Sequence, residues 1–392
     1  MTPRRLTVGY IPLTDAAPLI VAHELGFARE EGLSLDLVRC PSWAALRDLL
    51  AFGHIEAAHM LSPLPIAMTL GIGGVAAPVS ALQVLSVNGT VVGVGRALAG
   101  RLDAARHDFA FDDAAAAGRA LLSGAGRTLR IGVPFPVCMH AELLDYWLTA
   151  LGADVADRIA VRTVPPPQMA DALRADEIDA FCVGEPWGSA CVEAGVGALL
   201  LPGRAIWSFA PEKVLAVRTE WAAASPEIVA ALMRAVWRAC RWLAADGAAT
   251  TAAELMARAT YLGIEPHVVD RALTGRLTVT ARGDLRDCPG FVTFFDGAAP
   301  FPWKSQAAWI GARLARRLGR DPAATVDAAR AVYRTDLYRA NLGPAGAILP
   351  GASQKVEGGI AEGTAVAAGN GRLILRENRF FDGRVFDPTA PG

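Results

Sequence analysis

Residues 6–60 read LTVGYIPLTDAAPLIVAHELGFAREEGLSLDLVRCPSWAALRDLLAFGHIEAAHM. Leu6–Ile11 is a short β-type run, Ala16–Glu30 is helical in composition and stops near Gly32, and Leu33–Val38 is a second β-type run. Ser42 then caps a helix carrying Trp43, Leu46, Leu49 and Leu50 as far as Gly53, and Ile55–Met60 is a third strand. Strand, helix, strand, helix, strand at this spacing predicts βαβ units and a parallel sheet.

Downstream the alternation continues. After Asn88-Gly89 comes the apolar run Val91–Val94, and the pattern restarts with strand Leu129–Val133, helix His140–Leu151, strand Ile159–Val164, helix Gln168–Arg174 and strand Asp179–Val183. Val214–Arg218 is a further strand, so two α/β lobes with separate sheets are expected. Beyond residue 225 the pattern turns helical. Pro226–Ala245 sets Ile228, Leu232, Val236, Trp237 and Leu243 on one face, and a second amphipathic helix spans Gln306–Leu318. Its arginines, Arg313, Arg316 and Arg317, read as a solvated face. Residues 343–371 are rich in Gly, Ala and Pro and read as loop, with Phe380–Phe386 docking the end of the tail.

Composition supports a folded chain: 53% of the 392 residues are apolar and 20% charged, enough to bury two cores. A net charge of -1 argues against a nucleic-acid surface built on bulk charge but leaves room for a local anion site. Six dispersed cysteines without a C-x-x-C pair suit reduced thiols, not a disulfide scaffold or a zinc knuckle. Arg4-Arg5 leads straight into the first strand with no apolar leader, and nothing approaches the roughly 18 apolar residues of a membrane span. A cytoplasmic location away from membranes is expected.

Catalytic signatures are missing: there is no G-x-S-x-G, no H-E-x-x-H and no phosphate loop. Gly93-Val94-Gly95 next meets glycine at Gly100, the wrong spacing for a dinucleotide loop, and His54 and His59 read as structural or surface residues. No enzyme, cofactor or metal is expected. Three places carry other chemistry. His140 follows the loop Pro134–Met139 and opens a helix, where free N–H groups and the dipole favour an anion, a capping or packing histidine being the competing reading. Gly184-Glu185-Pro186-Trp187 follows the strand end Phe181-Cys182-Val183, where open α/β sheets line their ligand crevice, although an ordinary turn before proline has the same pattern. Lys213 opens a strand where the chain leaves the second α/β unit; it supplies a full charge to an oxyanion if it faces the lobe junction, and is an ordinary exposed lysine otherwise.

Taken in order, PSWAALRD (41–48), AHMLSPLP (58–65), Asn88-Gly89, His140 with Tyr146-Trp147-Leu148, VPPPQM (164–169), FCVGEPW (181–187), PEKVLAVR (211–218) and FFDGRVFDP (380–388) make the chain resemble the nitrate/bicarbonate-binding family related to ABC-transporter solute receptors. The resemblance implies an α/β, two-lobed periplasmic-binding-protein-like fold of the second type. Each lobe would be a mostly parallel sheet flanked by helices, with the ligand in the interlobe cleft. Lobe one would comprise residues 1–92 and 213–342, lobe two residues 93–212, and residues 343–392 a tail docked on lobe one. It further implies ligand-binding roles for Trp43, His140, the backbone of Gly184 and Lys213. After Asn-Gly, where nitrate receptors often carry glutamine, stands Thr90, whose hydroxyl has a shorter reach.

Nitrate and nitrite suit such a set, because they need several N–H or O–H donors and one positive charge. Bicarbonate carries a proton and wants an acceptor or a metal; Lys213 argues against it, while Glu185 lies close enough to keep it open. With no leader, the chain most resembles the cytoplasmic nitrate/nitrite sensor of assimilation operons. That branch implies a partner, an RNA-binding antiterminator, held without ligand and released when the anion closes the lobes. The alternatives are the substrate-binding component of a nitrate, bicarbonate or sulfonate ABC transporter and, less well matched, an enzyme of the same fold with a cysteine cluster. Removing Lys213 is expected to weaken anion binding at least tenfold with little effect on stability.

Overall fold

A computed structural model describes residues 3–126, 128–369 and 371–390 of the chain. The opening run forms β1 (Arg4–Tyr10), which pairs in parallel with β2 (Leu33–Arg39) and with β3 (Ala57–Leu61). The expected helix over 16–30 is broken into a 3-10 turn Thr14–Ala16 and the helices Ala17–Glu24 and Phe27–Glu30. Gly26, at φ 79°, causes the second break, since the left-handed region ends a helix. Ser42 caps the helix Trp43–Ala51 as expected, its Oγ accepting from Ala45 N at 3.2 Å.

The remaining strands among the described residues are β4 (Val79–Asn88), β5 (Thr90–Gly95), β6 (Leu129–Val133), β7 (Ile159–Thr163), β8 (Ala180–Gly184), β9 (Gly197–Pro202), β10 (Pro211–Arg218), the hairpin β11 (Arg276–Thr278) and β12 (Leu285–Asp287), β13 (Val292–Thr293), and the antiparallel pair β14 (Thr364–Val366) and β15 (Leu373–Leu375). The first lobe's sheet has the order β13-β4-β10-β3-β1-β2, and the second lobe's the order β7-β6-β8-β5-β9. Both sheets are mixed, not mostly parallel: β10 runs antiparallel to β3 and β4, and β5 antiparallel to β8 and β9. The chain's path explains this. Parallel neighbours need a helical crossover, as between β1 and β2 or β6 and β7, whereas β5 and β10 arrive directly from the other lobe. The first crossing is at Gly89 (φ 93°), and the return falls between Pro202 and Pro211. Both crossings precede the expected boundaries at 92/93 and 212/213.

Behind the first sheet, the helix Pro226–Leu243 buries Val229, Leu232, Met233, Val236, Trp237 and Cys240. Burying each such side chain contributes at most about 1.5–3 kcal/mol. The helix Lys304–Leu318 departs from expectation. Arg316 and Arg317 are exposed as expected, but Arg313 is buried, pairs with Asp145 and lies over the Tyr146 ring at 5.5 Å, and Arg317 Nη2 also donates to Glu142 Oε1 at 2.6 Å and to Pro136 O at 3.0 Å. Arg313 and Arg317 therefore bridge to the second lobe. The tail also reaches both lobes: Leu373 and Leu375 join the first lobe's core, while Tyr146 OH donates to Asp382 Oδ1 at 2.8 Å and Phe380 stacks on Trp207. All six cysteines are buried free thiols. No helix among the described residues is long and apolar enough to cross a membrane.

Candidate functional site

Lys213 is completely buried in β10, and its Nζ lies 2.7 Å from Asp15 Oδ2 and 2.8 Å from Glu212 Oε1. Adjacent residues of a regular strand point to opposite faces, so Glu212 and Lys213 ought not to meet. Here the register against β4 slips between Pro211 and Lys213, leaving Glu212 as a bulge residue. The bulge turns both side chains to one side. Burial alone would lower the Lys213 pKa, but the two carboxylates overcome it and hold the ammonium above its usual value.

Asp15 comes from the turn after β1 and His59 from the middle of β3. Burial pushes the Asp15 carboxyl up, yet the Lys213 charge and the hydrogen bond from His59 Nε2 (2.9 Å) outweigh it and bring it down to about 2. His59 is thus a buried structural histidine, not a surface one, and it belongs to the site: it orients Asp15, stays neutral because burial lowers its pKa, and its ring lies 5.8 Å from that of Trp43, tilted by 39°. Trp43, at the start of its helix, lies 5.6 Å below the Lys213 ammonium, a cation–π contact. Its indole N–H is buried and has no hydrogen-bond partner among the described residues.

His140 reaches the same place from the second lobe. Its helix, Met139–Ala150, is capped by Cys138, and burial with the nearby Lys213 charge drives the imidazole pKa well down. His140 Nδ1 lies 3.4 Å from Glu212 Oε1, and neither ring nitrogen makes a hydrogen bond among the described residues. Glu212 itself is pushed up to about 7 by burial, against the pull of Lys213, and its Oε2 has no hydrogen-bond partner there.

Gly184 ends β8 directly opposite Thr90 in β5. Glu185 N donates to Gly89 O at 3.2 Å, so the adjoining pair Thr90/Gly184 is of the non-hydrogen-bonded kind and the Gly184 N–H points away from β5. A Cβ on Gly184 would stand 3.1 Å from Leu13 Cδ2 and 3.7 Å from Asp15 Oδ2, so this glycine lets the two lobes touch. Next to it, Glu185 O accepts from Thr14 N (2.8 Å) and Thr14 Oγ1 (2.9 Å), and Trp187 Nε1 donates to Pro12 O at 2.6 Å. The Glu185 carboxylate turns the other way, bound by Ser189 N, and burial raises its pKa to about 7. Thr90 is buried against Gly203, where any Cβ would collide with its hydroxyl; no contact links it to Lys213, although its Oγ1 has no hydrogen-bond partner among the described residues.

Four of the five residues singled out in the sequence therefore meet around one ammonium, and Thr90 lies beside them. Asp15, Glu212 and His59 complete the cluster and were not anticipated. Asp15 belongs to no motif in the sequence, and the bulge that turns Glu212 inward has no sequence signature. Among the described residues no group of three or more His, Cys, Asp or Glu is arranged to hold a metal ion. Chemically the cluster offers one fixed cation, indole and imidazole N–H donors and a flat aromatic wall, all shielded from water.

A model of the NMT1-like family matches residues 1–257. The nitrate import ATP-binding protein NrtC of Synechocystis sp. is 32% identical over 339 residues, which is 85% of this chain but 49% of that protein, so the chain spans about half its length. The nitrate/nitrite binding protein NrtA of Synechococcus elongatus is 30% identical over 393 residues, covering 98% of this chain and 84% of the relative. The crystal structure of the periplasmic nitrate-binding protein NrtA from Synechocystis superposes with a TM-score of 0.85 at 27% identity, over 99% of this chain and 97% of the other. The fold is that of the periplasmic binding proteins. With 257 of its 392 residues under the family model and an NrtA relative similar along nearly its whole length, the chain belongs to the NMT1-like family.

Proposed function

We propose that the chain is a receptor for a small planar oxyanion, nitrate or nitrite, gripped between the lobes by Trp43, His140, Gly184 and Lys213 with Thr90 at the margin, and that it serves as the substrate-binding component of an ABC-type importer. One observation carries the reading. A buried ammonium lies beside a buried indole N–H and an imidazole that have no hydrogen-bond partner among the described residues, and these groups come from both lobes. Leaving such donors unmatched costs about 1–3 kcal/mol each, which a ligand with several acceptor oxygens recovers on binding. Similarity to NrtA along almost the whole chain supports the transport role. Isothermal titration with nitrate, nitrite, bicarbonate and sulfate tests it. Micromolar binding of nitrate or nitrite is expected; binding of bicarbonate or sulfate alone would overturn the ligand assignment.

The regulatory role, a cytoplasmic sensor holding an RNA-binding antiterminator, is the second reading and rests on resemblance to that branch. A nitrate-sensitive complex of the purified chain with an antiterminator of the same organism would support it over transport. In either role the anion acts by favouring the closed arrangement, which needs several kcal/mol of differential affinity.

A further inference from the structure

We propose that Glu212 is the proton-accepting residue of the site, so that each anion bound takes up about one proton. This rests on the oxyanion reading above. The geometry is a charge count in a water-free place. Lys213 Nζ already has two carboxylates within 2.8 Å, Asp15 and Glu212, and all three side chains are at most 1% exposed. One cation cannot balance two carboxylates and an incoming anion, and an uncompensated buried charge is strongly unfavourable.

One of the groups must therefore take a proton, and the surroundings select it. Asp15 is held ionised by Lys213 and by the His59 hydrogen bond. Among the described residues His140 is the only other basic group facing Glu212, and the Lys213 charge opposes making it an imidazolium. The remaining titratable groups that sense Glu212 are Cys138, Cys182 and Tyr333, all buried, with pKa values raised mainly by burial so that they stay neutral. Glu212 is already pushed up to about 7, and its Oε2 has no hydrogen-bond partner among the described residues. A proton from solvent adds to Oε2, and the resulting O–H donates to an oxygen of the anion. The carboxyl thus changes from a repelling charge into a further donor, with no other bond made or broken.

The experiment is nitrate titration calorimetry on the full chain at pH 6 and pH 8, in buffers of different ionisation enthalpy. The buffer dependence counts protons and needs no variant. At pH 8 close to one proton should be taken up per nitrate, at pH 6 almost none, and the affinity should fall about tenfold per pH unit above 7. In Glu212→Gln the uptake should vanish and the affinity should stop falling between pH 7 and 9. Nitrate binding without proton uptake at pH 8 overturns this proposal alone. Undiminished uptake in Glu212→Gln moves the proton elsewhere and overturns it as well. If neither nitrate nor nitrite binds at either pH, the oxyanion reading fails and takes this one with it.

Discussion

Arg317 and Glu142 tie the two lobes together. Arg317, on the helix Lys304–Leu318, donates from Nη2 to Glu142 Oε1 at 2.6 Å, and Glu142 is fully buried two residues beyond His140. One turn further on, Arg313 pairs with Asp145 and covers the Tyr146 ring at 5.5 Å. The helix that presents His140 is thus clamped from the opposite lobe on the side away from the ligand groups. Arg317→Gln leaves the Glu142 carboxylate buried without its partner, a loss of about 2–3 kcal/mol. The expected result is a lower Tm and a several-fold weaker nitrate affinity. Adding Glu142→Gln should restore part of both, because the two residues act as one pair. Equal, additive losses in the two single variants and their double would show that the contact does not couple the lobes.

Lys213→Ala carries a cost that its sequence context conceals. As an exposed lysine it would be removable with little loss of stability, yet here its one ammonium pairs with two buried carboxylates at 2.7 and 2.8 Å. Removing it strands both, so about 3–5 kcal/mol of stability should go together with at least tenfold in anion affinity. The triple variant Asp15→Asn, Glu212→Gln, Lys213→Met should recover much of the stability and none of the binding. Thermal melts and calorimetry on the two proteins decide the matter; a Lys213→Ala protein as stable as the wild type would contradict the ion-pair description.

What the sequence could disclose follows from the range of each interaction. The strand–helix alternation of 6–60, the Ser42 cap and the His140 helix start are local patterns, and the structure contains them within a residue or two except for the helix over 16–30, which is broken at Gly26. Trp43, His140, Gly184 and Lys213 lie in recognisable stretches, and the structure brings them together. Strand direction was misread, because whether β5 and β10 run parallel depends on which lobe the chain arrives from. Glu212 was missed because a bulge overrides the alternation of a strand, and His59 because its partner Asp15 lies 44 residues away. The arginines of the helix 304–318 read as solvated because charge spacing alone does not show that a second lobe lies across from them.

Trp43 separates packing from hydrogen bonding within the site. Its ring is buried beneath the Lys213 ammonium and beside His59, while its N–H has no hydrogen-bond partner among the described residues. Trp43→Phe keeps an aromatic wall and removes the donor. A hydrogen bond to a charged acceptor contributes about 1.5–3 kcal/mol, so nitrate affinity should fall by roughly ten- to a hundredfold. The ligand-free protein, which loses no hydrogen bond, should melt within a few degrees of the wild type. An unchanged nitrate affinity would remove Trp43 from the site.

The pH dependence of stability follows from five buried groups whose signs differ. Glu185 and Glu212 hold their protons up to about pH 7 in the fold, against about 4.5 when unfolded. The folded chain therefore binds more protons between those values, and the stability these groups contribute, complete below 4.5, is lost as the pH rises through 7. His59 and His140 are depressed by burial, so it is the unfolded chain that gains protons as the pH falls below about 6.5, and stability drops in that direction. Asp15, held at about 2, contributes stability that persists above 3.8 and disappears only as the pH falls through 2. Between about 4.5 and 7 each of the two carboxyls therefore lowers stability by about 1.4 kcal/mol per pH unit, the two histidines oppose this below about 6.5, and above about 7, where both states are ionised, the carboxyls add no further slope. Glu185→Gln isolates one share, since that carboxylate is bonded only to Ser189 N and lies apart from the Lys213 cluster. Between pH 5 and 7 stability, read from melting curves, should fall less or rise more with increasing pH in this variant than in the wild type, and above 7.5 the two should run parallel. Parallel slopes for the two proteins between pH 5 and 7 would mean that Glu185 is already ionised in the fold across that range.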